Sequence, residues 1–84
     1  MVKASYTIKN EEGLHARPAT DFCKTAGQFD SDITVIKDGE EFEAKSILMV
    51  LCMGAVKGDT IELVVNGKDE NEALDALIKT LDEE

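Results

Sequence analysis

The amino-acid sequence predicts an α+β fold: an open-faced sandwich in which a four-stranded antiparallel sheet carries three helices on one face, in the order βαββαβα. Three observations carry this expectation. Apolar residues recur at period two in short stretches near both ends and in the middle of the chain, and at helical spacing between them. The pair Asp38-Gly39 separates two strand-like stretches, as a tight hairpin requires. The first and last helical stretches are apolar on one side, so each is suited to cover a sheet from a single face.

The first stretch, VKASYTI, puts Val2, Ala4, Tyr6 and Ile8 on one face of a strand. NEEG ends it, with Gly13 suited to a positive φ. From Ala19 the period changes: Ala19, Phe22, Cys23 and Ala26 fall at i, i+3, i+4 and i+7, one face of a helix that Gly27 can stop. DITVIKDGEEFEA then reads as a hairpin with a type I′ turn at Asp38-Gly39 and with Ile33, Val35 and Phe42 facing the core. KSILMVLCMG is a short helix between Ser46, a good N-cap, and Gly54, a good C-terminal stop. Its apolar run from Ile47 to Met53 is unbroken. A two-turn helix lying on a sheet needs one buried stripe, read as Ile47, Val50 and Leu51, which leaves Leu48, Met49 and Cys52 at least partly exposed; a more deeply buried helix is the alternative. DTIELVVNG returns to strand periodicity with Ile61, Leu63 and Val65. The last helix begins at Asp69 with Glu72 three residues on, the pattern of a capping box, and its apolar face is Leu74, Leu77, Ile78 and Leu81.

The 84 residues make one domain, residues 1–84, with 43% hydrophobic and 32% charged residues, a globular composition. The net charge of −9 makes a poor nucleic-acid binder, because phosphate contacts need clustered Lys and Arg. The excess acid lies wholly after residue 37, where it reads as a solvated surface. No apolar stretch approaches the ~20 residues of a membrane span, and the N-terminus alternates where a signal peptide would be continuously apolar. These features predict a cytoplasmic protein without membrane insertion; a monomer is expected. By residue type alone, Cys23 and Cys52 are expected to be buried free thiols. With a single histidine to join them, no metal site is expected, nor any cofactor.

The stretch GLHARPAT, residues 13–20, concentrates the only histidine, His15, with Arg17 and the only proline, Pro18. Proline lacks an N–H and belongs in a first helical turn, so a helix starts between Ala16 and Pro18 and His15 lies at or just before its cap. A helix start presents unbonded N–H groups and the positive end of the dipole. That pole favours neutral imidazole, a nucleophile, and it also accommodates an anion formed on it. Arg17 supplies a fork of donors for the same oxygens. A lone histidine more often caps a helix or lies on a surface loop. The residues by themselves therefore point no further than an anion or phosphoryl site.

GLHARPAT resembles the active-site segment of the HPr family, the histidine-containing phosphocarriers of the bacterial phosphoenolpyruvate-dependent sugar phosphotransferase system. The likeness extends over the whole chain, with KSI at 45–47 and GAVKGD at 54–59 in matching places. It implies an HPr-like open-faced β-sandwich and a phosphocarrier rather than an enzyme. His15 would accept a phosphoryl group from phosphorylated enzyme I on Nδ1 and pass it to IIA-type domains of sugar permeases, with Arg17 stabilising the phosphorylated state. Ser46 matches a second, regulatory phosphorylation position, modified in Gram-positive relatives by an HPr kinase/phosphorylase and read by a catabolite control transcription factor. The N-cap role of Ser46 is compatible with that. The resemblance also implies docking through the first two helices, here Leu14, Thr20, Lys24, Lys45, Ile47, Leu48, Met49, Leu51 and Cys52. Met49 and Cys52 depart from the family's usual small or polar residues. Arg17, Lys24 and Lys45 would form a basic rim for acidic partners. A regulatory binding module acting on enzymes or transcription factors is the alternative, as is a carrier of a nitrogen-related or dihydroxyacetone-kinase branch. Loss of the histidine would favour the regulatory module, and this chain keeps it.

Overall fold

A computed structural model of the chain, describing residues 1–83, contains β1 (Val2–Thr7), α1 (Arg17–Ala26), β2 (Asp32–Lys37), β3 (Glu40–Glu43), α2 (Ile47–Met53), β4 (Thr60–Asn66) and α3 (Glu70–Asp82). The four strands form one antiparallel sheet in the order β1-β4-β2-β3. The fold class and element order are those expected.

Alternation decides the inner face. Tyr6, Ile33, Val35, Ile61, Leu63 and Val65 are buried, while Lys3, Ser5 and Thr7 between the inward positions of β1 face water. The register aligns Val35 with Leu63, and Ile33 with Val65, so that β-branched and leucine side chains meet across strands. Helices α1 and α3 close over this face through Ala19, Phe22, Ala26, Ala73, Leu77 and Leu81. Each large side chain buried this way contributes roughly 1.5–3 kcal/mol. Asp38 and Gly39 take φ values of 53° and 82°, the left-handed pair that a two-residue hairpin loop requires. Phe42 is half-buried and packs on the edge of the core.

Three expectations are corrected. In α2 the buried residues are Val50 and Met53, whereas Ile47 and Leu51 are each 42% exposed. Val50 faces the core as expected, joined by Met53 in place of Ile47 and Leu51, and the deeply buried alternative fails. Cys52 is exposed and Cys23 half-buried, so residue type misjudged both thiols. Burial pushes the Cys23 thiol up from its ordinary value. The Asp69–Glu72 capping box does not form: Asp69 is the N-cap of α3 but makes no side-chain cap hydrogen bond.

The Asp69 carboxylate turns instead to the loop before β2. It accepts the N–H groups of Asp30 and Ser31, each at 3.0 Å, and the Ser31 hydroxyl. Ser31 is buried, so its polar atoms need these partners. The Ser31 hydroxyl first, then the Asp30 N–H, hold the Asp69 carboxyl below its ordinary value of 3.8. A depressed carboxyl adds stability that is present above its unfolded value and is lost as pH falls through the folded one. Asp69→Asn is thus expected to be less stable than the parent near neutral pH but to lose less stability on acidification to about pH 2. Urea midpoints at both pH values check this, and parallel falls in the two proteins would refute it.

Candidate functional site

The segment between β1 and α1 is pinned from both sides. Asn10 Nδ2 donates to the Gly13 carbonyl at 2.9 Å, and the Gly13 N–H donates to the Asn10 carbonyl at 3.2 Å. Gly13 has φ 69°, and a Cβ there would fall on the Ala55 carbonyl oxygen and 2.7 Å from Val56 Cα. Only glycine lets the two backbones approach this closely. The Leu14 N–H then donates to the Ala55 carbonyl at 2.9 Å, and the Leu14 side chain sinks into the core. Leu14 is therefore not a surface residue. It anchors the loop from beneath instead of presenting itself to a partner.

His15 follows directly and is exposed. It borders a hollow of about 140 Å³ lined also by Glu12, Leu14, Leu51, Gly54, Ala55 and Val56. The cap of α1 is Ala16, at φ 53°, ψ −124°. A residue with a Cβ seldom adopts this conformation, and such strain costs of order 1–3 kcal/mol. Alanine also offers no side-chain oxygen, and no side chain caps the helix start. The first turn holds no acid, and Pro18 stands within it. The N–H groups that open α1 thus lack the usual internal partners beside the imidazole. Thr20 is exposed, its N–H and Oγ1 both donating to the Ala16 carbonyl, at 3.1 and 3.2 Å.

The structure does not bring Arg17 to His15 in one cavity. The Arg17 side chain is 85% exposed, its Nε lies 3.7 Å from Asp21 Oδ2, and it borders a different depression with Asn10, Glu11, Glu12, Pro18 and Glu83. So exposed an ion pair contributes little, and the side chain is cheaply redirected.

Ser46 caps α2 as expected, its hydroxyl accepting the Met49 N–H at 3.3 Å, and Gly54 ends the helix in the left-handed region. Between them an apolar surface lies open: Leu48 is 69% exposed, with Ile47, Met49 and Leu51 less so. Val56, which the sequence reading did not single out, is 55% exposed and extends this surface to His15. Its sequence signals were its place after the helix stop and within the GAVKGD segment. Lys24 is exposed on the last turn of α1. Lys45 is exposed, but its Nζ donates to the Phe29 carbonyl at 2.8 Å and is partly committed. Among the described residues no group of His, Cys, Asp and Glu is placed to hold a metal ion, and no helix is long and apolar enough to cross a membrane.

A family model described as the PTS HPr component phosphorylation site matches residues 2–83. The chain belongs to the HPr family. The HPr-like protein Crh of Halalkalibacterium halodurans is 40% identical over 84 residues, the full length of both chains. Among solved structures, HPr of Thermoanaerobacter tengcongensis superposes with a TM-score of 0.96 at 41% identity, covering 99% of this chain and 93% of that one. Crh of Bacillus subtilis, described as a domain-swapped dimer linked to catabolite repression, matches at 36% identity with a TM-score of 0.78, covering 99% and 95%. The HPr family thus includes both phosphocarriers and a catabolite-repression relative at similar distances from this chain.

Proposed function

We propose that this HPr-family protein is a phosphoryl carrier of a sugar phosphotransferase system, with His15 as the acceptor. The observation that carries the reading is an exposed imidazole held at the open start of α1, on a loop locked by Gly13 and Leu14. The Nδ1 lone pair attacks the phosphorus of phosphorylated enzyme I. A new P–N bond forms as the donor's bond to phosphorus breaks, and the donor leaves with that electron pair. Transfer to a IIA-type domain runs the same exchange in the other direction. Phosphoryl transfer calls mainly for positioning and charge stabilisation, which the uncapped helix start and a redirected Arg17 supply. The apolar surface of α2, with Thr20, Lys24 and Lys45 at its border, is the docking face, and Ser46 beside it is a regulatory phosphorylation position. The experiment is incubation with phosphoenolpyruvate and enzyme I, followed by mapping of the modified residue. The expected product carries one phosphoryl group on His15, labile in acid and stable in base. Phosphate recovered elsewhere, or none, would overturn the carrier assignment.

A second reading, a regulatory module that docks on enzymes or transcription factors, is favoured by the 40% identity to Crh. It predicts ATP-dependent phosphorylation of Ser46 by an HPr kinase with no transfer through His15.

A further inference from the structure

The turn after α2 is braced by a residue that neither the motif nor the docking face includes. Asp59 Oδ2 accepts the Val56 N–H at 3.0 Å, and the Asp59 N–H donates back to the Val56 carbonyl at 3.0 Å. The two bonds close residues 56–59 into a rigid turn. Its other end is sewn to the end of β1: the Ile8 N–H donates to the Asp59 carbonyl, and the Gly58 N–H to the Ile8 carbonyl, each at 2.9 Å. Lys37, at the end of β2, brings its ammonium within 3.8 Å of the same Asp59 oxygen and 3.1 Å of Asp38 Oδ2. The Lys37 side chain is only 18% exposed, so this charge is held in place.

This turn forms one wall of the hollow beside His15. Ala55 and Val56 line that hollow, Ala55 accepts the Leu14 N–H, and Gly13 lies against both residues. Any shift of the Val56 backbone is therefore passed to the residue just before the imidazole. We propose that Asp59 is a positioning residue for His15, acting through the 54–56 backbone, with Lys37 holding its carboxylate. The inference rests on the acceptor reading of His15, but it makes one prediction that does not depend on phosphoryl transfer.

Asp59→Ala and Asp59→Asn test it at a temperature well below the unfolding transition of each. Asparagine keeps an oxygen that can accept the Val56 N–H, whereas alanine does not. With phosphorylated enzyme I as donor, Asp59→Ala is expected to lower the maximal rate by roughly tenfold or more, because small displacements of a reacting group are costly. The apparent KM should stay within about twofold, since the apolar face of α2 is untouched. Asp59→Asn should recover to within about threefold of the parent. Independently, amide hydrogen exchange at Leu14 should quicken by about tenfold or more in Asp59→Ala and much less in Asp59→Asn. A parental maximal rate in Asp59→Ala, a loss confined to KM, or equal losses in both variants would overturn the proposal. So would unchanged exchange at Leu14. If the parent accepts no phosphoryl group, the carrier reading fails, and the exchange comparison still decides whether Asp59 holds the loop.

Discussion

Replacing His15 with alanine is expected to abolish acceptance of a phosphoryl group from enzyme I while leaving the fold intact. The side chain is exposed and lies outside the hydrophobic cluster, so the unfolding free energy should change by no more than about 0.5 kcal/mol. The chemical effect is complete because the chain holds no second imidazole to take over. Ser46 cannot substitute for it: a serine hydroxyl gives a stable ester instead of a labile P–N bond, and this one is engaged as an N-cap. The measurement is incorporation of acid-labile phosphate, with the midpoint determined in parallel. Undiminished incorporation in a well-folded His15→Ala protein would remove His15 from the relay.

The opposite pattern is expected at Phe22. It has no accessible surface, is the largest fully buried side chain among the described residues, and belongs to the hydrophobic cluster beneath α1. Phe22→Ala removes its apolar area and leaves a void that surrounding residues fill only partly, at a cost of about 3–5 kcal/mol. A domain of 84 residues has a total stability of roughly 4–13 kcal/mol, so a large share is lost. The melting temperature should fall by more than about 10 °C. Phe22→Leu should lose much less, because it fills most of the volume. If Phe22→Ala melts within a few degrees of the parent, α1 is not held in place by this side chain.

Much of this was legible in the chain. Period-two alternation marks the inward positions of β1 and β4, and Asp38-Gly39 marks a turn whose φ values no pair with ordinary side chains would readily adopt. Gly13 was legible for the same reason, and Ser46 because its hydroxyl is one of the few side-chain groups that cap a helix start. The stripe of α2 was not legible. Seven consecutive apolar residues carry no polar side to mark the outward direction, so Val50 and Met53 face inward only because of where the sheet lies. The capping box failed for a related cause. A carboxylate at a helix start serves equally as a local cap or as an acceptor for a distant donor, and Ser31 lies 38 residues away. At the site, the spacing of His15, Arg17 and Pro18 announced a helix start. It gave no sign that Ala16 would carry the strain, or that Arg17 would face another depression. Asp59 closes the GAVKGD segment, but its bracing role was not legible, because its effect on the loop passes through backbone contacts made by its neighbours.

The strand order has a consequence for synthesis. β4 lies between β1 and β2 and pairs with both, so Val2 has no partner until Val65 has been made. The ribosome therefore releases the histidine loop long before the turn that clamps it. Until the last third of the chain emerges, only the β2–β3 hairpin and nascent helices can form, and β1 waits with open backbone groups and an apolar face. A stalled or truncated product ending before β4 would carry the complete GLHARPAT segment yet expose the surface that β4 should cover. Such a product is a natural target for chaperones and proteases, because the sheet is complete only once β4 has paired with both β1 and β2.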